Sequence, residues 1–248
     1  MKLSVIVITK NEEHSIRDCL GSIVWADEII VVDSGSIDNT VAISREYTDK
    51  VFVNDWPGFG EQKNRALEMA TCDWVLSLDA DERVTPKLQA EIQKAITYPN
   101  NNVAFKMPRL SNYCGRYMRH SGWWPDYIIR LFQRGKAHFT NDLVHEHLVV
   151  NGDIEKLSNP LLHNSFDNLE DVLDKVNSYS SAGARMMHQK QKKATLVSAI
   201  FHGMWAFVHT YILRAGFLDG REGLMLAISN AEGTYYRYLK LMMITRVK

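Results

Sequence analysis

Short apolar runs alternate with stretches of helical periodicity over roughly the first hundred residues, and this alternation restricts the chain to an α/β architecture. LSVIVIT at residues 3–9 and EIIVVDS at 28–34 are continuous and rich in β-branched residues, the pattern of strands buried on both faces. Val51–Val53 makes a short third strand, and WVLSLDADE at 74–82 a fourth that ends in acids. Between them, Ile16, Leu20, Ile23 and Val24 recur at helical spacing. Asp38 or Asn39 can cap a helix reaching Glu46, and a further helix covers Gln62–Ala70. Thr85 followed by Pro86 starts another, with Leu88, Ile92 and Ile96 as its buried stripe. Strands that alternate with helices pair in parallel through right-handed crossovers.

From Val103 to about Leu162 the pattern changes to short β-like pieces at 104–107, 127–132 and 148–150, set among aromatics and histidines. These are expected to extend the sheet and wall a site. Beyond Asn168 the sequence is helical, which predicts an α/β domain over 1–165 and a helical extension over 166–248. With 46% hydrophobic residues the chain can bury a core.

Its 29 basic and 29 acidic side chains cancel, so global basicity gives no reason to expect nucleic acid as a partner. The cancellation is uneven: from Arg185 onward ten basic residues face three acids, Asp219, Glu222 and Glu232. A basic tail on an acidic body points to an anionic surface, or else to a solvated basic face. Cys19, Cys72 and Cys114 form no CxxC pair and no even framework, which favours a reducing compartment. The apolar run Leu3–Ile8 is too short for a signal peptide.

In open α/β sheets ligands sit outside the carboxyl ends of the strands. Three polar clusters fall there: Thr9-Lys10-Asn11-Glu12, Asp33-Ser34-Gly35-Ser36 and Asp79-Ala80-Asp81-Glu82. Two carboxylates one residue apart, leaving a buried strand, suit a hard divalent cation that bridges to phosphate oxygens, or an acidic turn before the next helix. Asp33 before Ser-Gly-Ser gives a tight turn and an acceptor for a base N–H, while Asp38 serves as a cap. Neither GxGxxG nor GxxxxGK[ST] occurs, against a dinucleotide fold or a P-loop.

Taken together, ITKNEE, VVDSGSIDNT, the Lys-Asn pair in EQKNRAL and LSLDADE resemble the motifs of inverting family 2 glycosyltransferases of the GT-A fold. WWPDYIIRLFQRG, VHEHL and GFLDGREGL are similar to the bacterial subgroup that builds the lipopolysaccharide inner core, nearest to the β-1,4-glucosyltransferases acting on the first core heptose. The resemblance implies that Thr9, Asn11 and Glu12 border a nucleoside, Asp33 reads the uracil, and Asp79 faces the ribose. It further implies that Asp81 holds a divalent cation (Mg2+ or Mn2+) bound to the donor diphosphate, and that Lys63 lies near sugar and phosphates. Lys10 stands where many relatives place an aromatic that stacks on the base.

Such a transfer needs a carboxylate to take the acceptor's proton. Glu146 in VHEHL is the preferred base and Asp126 the second candidate, each with an ordinary structural alternative. Among the histidines, His145 is the candidate to complete the cation's shell or to touch phosphate; no cysteine or HxxxH pattern supports zinc. Trp123, Trp124, Tyr113 and Tyr117 stack on sugar rings or fill a core, and Arg130 pairs with phosphate or with a buried acid.

The stretch between Lys193 and Arg214 carries no charge with neutral histidines and puts Ser198, His202, Gly203, His209 and Thr210 on one helical side. It barely reaches spanning length. It reads as an interfacial amphipathic helix or as a helix packed on the catalytic core. The expectation is therefore a UDP-sugar-dependent hexosyltransferase, with UDP-glucose as donor and a lipid-linked heptose as acceptor. It would work in the cytoplasm, peripheral to the inner membrane. The rivals are a sugar-1-phosphate nucleotidyltransferase, whose glycine-rich loop TKNEE does not supply, a transferase acting on another glycan, and a non-catalytic membrane module.

Overall fold

The computed structural model describes residues 1–140 and 147–246. The chain forms two compact units, one of residues 1–109 with 126–163 and one of residues 110–125 with 164–248.

In the first unit β1 (Leu3–Thr9), β2 (Glu28–Asp33), β3 (Val51–Val53) and β4 (Trp74–Asp79) lie in the order β3-β2-β1-β4, all parallel. The sheet then continues through β8 (Asp126–Gln133), β6 (Asn102–Tyr113), β12 (Leu161–Phe166) and β5 (Glu82–Val84). Here β4 with β8, β8 with β6, and β12 with β5 are antiparallel. A short β11 (Asp153–Lys156) pairs in parallel with β6, and β9 (Ala137–Phe139) forms a separate ribbon with β10 (Leu148–Val150). The connecting helices are α1 (Ile16–Gly21), α2 (Thr40–Ser44), α3 (Phe59–Met69) and α4 (Pro86–Thr97). This is the α/β class expected from the sequence, a mixed and mostly parallel sheet with helices.

The strand period of two sorts the core. Leu3, Val5 and Val7 pack with Ile16 and Leu20 of α1 and Leu88 and Ile92 of α4, whereas Ile6 and Ile8 pack with Ala66 and Ala70. Buried on both faces, β1 is apolar from Val5 to Ile8, its one earlier polar residue, Ser4, being bonded to Glu28, and the polar clusters are displaced to the strand ends. Helix α4 starts as expected, the Thr85 hydroxyl accepting from Leu88 N at 3.2 Å. Helix α3 begins earlier than the periodicity suggests, because Gly58 at φ +124° makes its lead-in turn and accepts from Gln62 N at 3.0 Å. Helix α2 ends at Ser44, short of Glu46; the Ser44 hydroxyl donates to Thr40 O at 2.8 Å, and Glu46 instead pairs with Arg17.

At the amino end of the sheet, buried Glu28 accepts from Ser4 Oγ, Lys50 Nζ (2.5 Å), Thr71 N (2.8 Å) and Thr71 Oγ1 (2.9 Å). Burial alone would push this carboxyl up, but the bonds from Lys50, Ser4 and Thr71 pull it down to about 2. An acid depressed in the folded state stabilises above its unfolded value and loses that contribution as pH falls toward the folded one. Glu28→Gln is therefore expected to cost on the order of 2–3 kcal/mol at neutral pH, and much less near pH 2. Urea unfolding followed by tryptophan fluorescence at both pH values checks this; an equal loss at each would contradict it. A groove of about 650 Å³ lined by Lys2, Asp27, Glu28, Lys50, Thr71 and Asp73 opens at this end. It lies at the opposite end of the strands from where open sheets bind ligands.

In the second unit α5 (Leu169–Gln189), α6 (Leu196–Val208) and α7 (Gly220–Arg246) pack together. A π-helical turn at His209–Leu213 and a 3-10 corner at Gly216–Asp219 join α6 to α7. Asn168 caps α5 by accepting from Asp171 N at 2.9 Å. The core contains Tyr113, Met118, Val172 and Leu226, with Trp123 and Phe166 against it. The two-residue strand β7 (Arg116–Tyr117) pairs with the end of β6. Asp219, almost fully buried, accepts from the backbone N–H of Arg119 (3.1 Å) and His120 (2.9 Å) and fastens that loop to the 3-10 corner.

Candidate active site

Parallel register decides which strand-end residues become neighbours. Thr9 lies opposite Asp33 on one side of β1, and Ile8 opposite Asp79 on the other. Two acids far apart in sequence thus flank the carboxyl end of the central strand. Thr9 Oγ1 is buried and has no hydrogen-bond partner among the described residues.

Asp33 is fully buried and closes its own turn: Oδ1 accepts from Gly35 N (2.9 Å) and Ser36 N (2.8 Å), and Oδ2 from the Ser36 hydroxyl. A carboxylate has about four acceptor positions, so the turn does not exhaust it. Asn11, at φ +54°, ties this turn to the β1 loop, accepting from Ile37 N (2.9 Å) and donating its N–H to Ser36 Oγ (2.7 Å). Glu12 donates its N–H to Thr40 Oγ1 at 2.7 Å. Its carboxyl is pushed up to about 7, by burial first and then by the negative charge of Asp81. The N-cap position of α2 is Asn39, which makes no side-chain cap bond; Asp38, one residue earlier, accepts from Thr40 N at 3.0 Å.

Helix α3 delivers three consecutive side chains to three places. Gln62 donates to Ser34 Oγ at 3.0 Å, Lys63 pairs with Asp79 Oδ1 at 3.1 Å, and Asn64 clamps Phe139 through its N–H (2.9 Å) and carbonyl (2.8 Å). The Lys63 ammonium also sits 5.6 Å from the Phe139 ring centroid.

Asp79 is held from two directions, by Lys63 and by Arg130, whose Nη2 is 2.5 Å from Oδ2. The same guanidinium nitrogen lies 2.6 Å from Glu82 Oε1, while Glu82 Oε2 accepts from Asp79 N at 3.0 Å. Against the cost of burial, Arg130 and Lys63 keep the Asp79 carboxyl well below the usual carboxylate range. Burial pushes Glu82 up, opposed by Arg130 and reinforced by Asp79. Arg130 therefore serves buried acids. Of the two partners the sequence left open for Arg130, phosphate or a buried acid, the structure shows buried acids, because the antiparallel insertion of β8 beside β4 brings it to Asp79 and Glu82.

Asp81 faces a different partner from the histidine singled out above. His163 Nε2 lies 3.2 Å from Asp81 Oδ2, since β12 sets His163 opposite Glu82 in the β5 ladder. Both side chains remain partly accessible, at 17% and 29%. An oxygen and an imidazole nitrogen converging beside the acidic Glu12 suit a divalent cation. Among the described residues no group of three or more His, Cys, Asp or Glu comes together as a metal cage.

His145 and Glu146 lie outside the described residues. Asp126 sits opposite Arg109 in the β6–β8 ladder and pairs with it, at 3.0 Å from Nε and 2.7 Å from Nη2. Tyr113 is buried and Trp123 packs edge-on against it at 5.8 Å, so both fill core. Trp124 lies under the Arg119 guanidinium at 5.3 Å, and the Tyr117 hydroxyl donates to Asn164.

The profile of Glycosyl transferase family 2 matches residues 4–150, more than half of the chain. The chain belongs to glycosyltransferase family 2. Among family 2 proteins it is 32% identical to an uncharacterized glycosyltransferase of Rickettsia typhi, over 97% of this chain and 86% of that protein. It is 27% identical to the lipopolysaccharide core biosynthesis glycosyltransferase LpsC of Rhizobium meliloti, over 96% of this chain and 93% of the relative. A glucosyl-3-phosphoglycerate synthase from Mycobacterium tuberculosis, solved with Mn2+ and UDP-glucose, is 25% identical over 45% of this chain and 44% of its own, with a TM-score of 0.39. That overlap is too partial for residue-by-residue correspondence.

Proposed function

We propose that this glycosyltransferase moves a hexose, glucose from UDP-glucose, with inversion onto a heptose of a lipid-linked lipopolysaccharide core, in the manner of a β-1,4-glucosyltransferase. The observation that carries the reading is the parallel register that lines up Thr9 with Asp33 and sets Asp79 on the other side of β1, with Lys63 reaching Asp79 from α3. The near full-length likeness to a protein named for lipopolysaccharide core biosynthesis supports the acceptor class. Family membership sets the nucleotidyltransferase reading aside.

In this reading the unpartnered Thr9 hydroxyl and the spare acceptor capacity of Asp33 meet the nucleoside, with Asn11 fixing the loop that carries them. Asp79, kept ionised by Arg130 and Lys63, accepts from the ribose hydroxyls. Lys63 places a buried positive charge where the diphosphate arrives and offsets its charge as it leaves. Asp81 and His163 would hold a divalent cation, and the negative corner that raises Glu12 favours one there. That cation, Mg2+ or Mn2+, would stabilise the charge of the departing diphosphate. Glu146 is the proposed base for the acceptor hydroxyl. Asp126, paired with Arg109, is the second candidate. Three cysteines without a disulfide agree with a cytoplasmic site of action at the inner membrane.

Purified protein offered a set of nucleotide sugars and a heptose-bearing lipid acceptor is expected to consume UDP-glucose and release UDP, with a new β linkage on the heptose by NMR. Transfer of a different sugar, or onto acceptors lacking heptose only, would overturn the assignment while leaving the family intact.

A further inference from the structure

Helix α6 is built inside out for a soluble protein. Its small residues face inward: Ala199 and Gly203 are buried, and a Cβ on Gly203 would meet Tyr235 Cβ at 3.1 Å and the Ala231 carbonyl at 3.3 Å. About two turns further on, Thr210 is buried and accepts from Asn230 Nδ2 at 3.2 Å. The large apolar side chains face outward. Val197, Phe201, Met204 and Trp205, spaced for one helical side, together with Phe217 and Leu218 on the following corner, are 50–68% exposed. The stretch Leu196–Leu213 has a mean hydropathy of 1.4, yet only 17% of it is buried. Apolar patches this contiguous mark an interaction surface.

The charges around the patch select its partner. Lys190, Lys192 and Lys193 are exposed just before the Thr195 cap, and Arg214 is exposed at the far end. The nearby acids are withdrawn: Asp219 is held by backbone N–H groups, and buried Glu222 is paired with Arg221. An apolar face rimmed by lysine and arginine matches the boundary between acyl chains and anionic headgroups. With its π-helical continuation to Leu213 the apolar stretch has 18 residues and extends about 27 Å, barely the thickness of a hydrocarbon core of about 30 Å, and the opposite side of α6 is occupied by α7, which favours lying on the membrane over crossing it.

We propose that α6 and the Phe217–Leu218 corner form a monotopic docking face that lies in the interfacial layer of an anionic bilayer, with Trp205 inserted and Lys190, Lys192 and Lys193 on the headgroups. This deepens the peripheral location proposed above. It rests on the helical unit alone, and its test uses vesicles without acceptor or donor, so failure here and failure of the transferase reading are separable.

The full chain is mixed with phosphatidylglycerol-containing vesicles and with phosphatidylcholine vesicles, and binding is read by flotation at two salt concentrations. Expected is binding to the anionic vesicles that weakens with salt, and a roughly hundredfold weakening in K190Q/K192Q/K193Q. F201D/W205D is expected to abolish flotation while its circular dichroism stays unchanged, and the control Y179D, on exposed Tyr179 of α5, to bind normally. Lipids brominated near the headgroup should quench fluorescence more than those brominated at the chain end, and W205F should lose that difference. Absence of flotation, preferential quenching by chain-end bromines, or a lipid-free dimer that F201D/W205D dissociates would each overturn the proposal. The last two would point to a spanning helix or to a second copy as the true occupant.

Discussion

Arg130→Met is expected to destabilise the first unit by about 3–5 kcal/mol, since it strips the counter-charge from two carboxylates that folding has already removed from water. Glu82 is fully buried, and Arg130 is the cation at its Oε1. Asp79 keeps Lys63 and is the less affected of the pair. The loss should be largely recovered in Arg130→Met/Glu82→Gln, because the neutral amide has no charge to strand. Urea unfolding of the two variants checks this. Equal instability of both would mean that Arg130 acts through packing alone. Nucleotide binding gives a second readout: the double variant folds but leaves Asp79 with one cation instead of two, so its affinity for UDP should fall even where stability has returned.

Asp81→Ala is expected to behave in the opposite way. Its carboxylate is partly exposed and paired with His163, so removing it should shift the melting temperature little, while glycosyl transfer drops by about a thousandfold or more. Mn2+-dependent UDP binding by calorimetry should vanish with it. His163→Asn is expected to lose less, about ten- to a hundredfold, because an amide oxygen can still take part. Undiminished transfer by Asp81→Ala would remove Asp81 from the cation site and leave the nucleotide pocket standing on Thr9, Asp33 and Asp79.

Much of the first unit was legible as text. Strands buried on both faces must be largely apolar, so β1, β2 and β4 announced themselves, and the polar residues that ended them marked the ligand end of the sheet. The Thr85-Pro86 helix start was equally local, because it satisfies a backbone N–H within one turn. The Asp33 turn was readable as a turn. That its own N–H groups occupy the carboxylate emerges only from the coordinates.

The histidine at the acidic pair was a matter of register rather than spacing. His163 lies 82 residues beyond Asp81 in the chain, and only the pairing of β12 with β5 closes that distance. The same holds for Arg130, whose choice between phosphate and a buried acid is made only when β8 runs antiparallel to β4 and brings it to Asp79 and Glu82. Similarly, the wheel of α6 separated small and polar residues from large apolar ones without saying which side would be covered.

The sequence by itself determined the α/β class, the parallel pairing of the core strands and the acids at their ends, because those follow from burial and local backbone chemistry. Only the tertiary structure decided which distant side chains neutralise those acids and which side of α6 stays bare. Those are outcomes of strand register and helix packing, contacts whose geometry no stretch of neighbouring residues encodes.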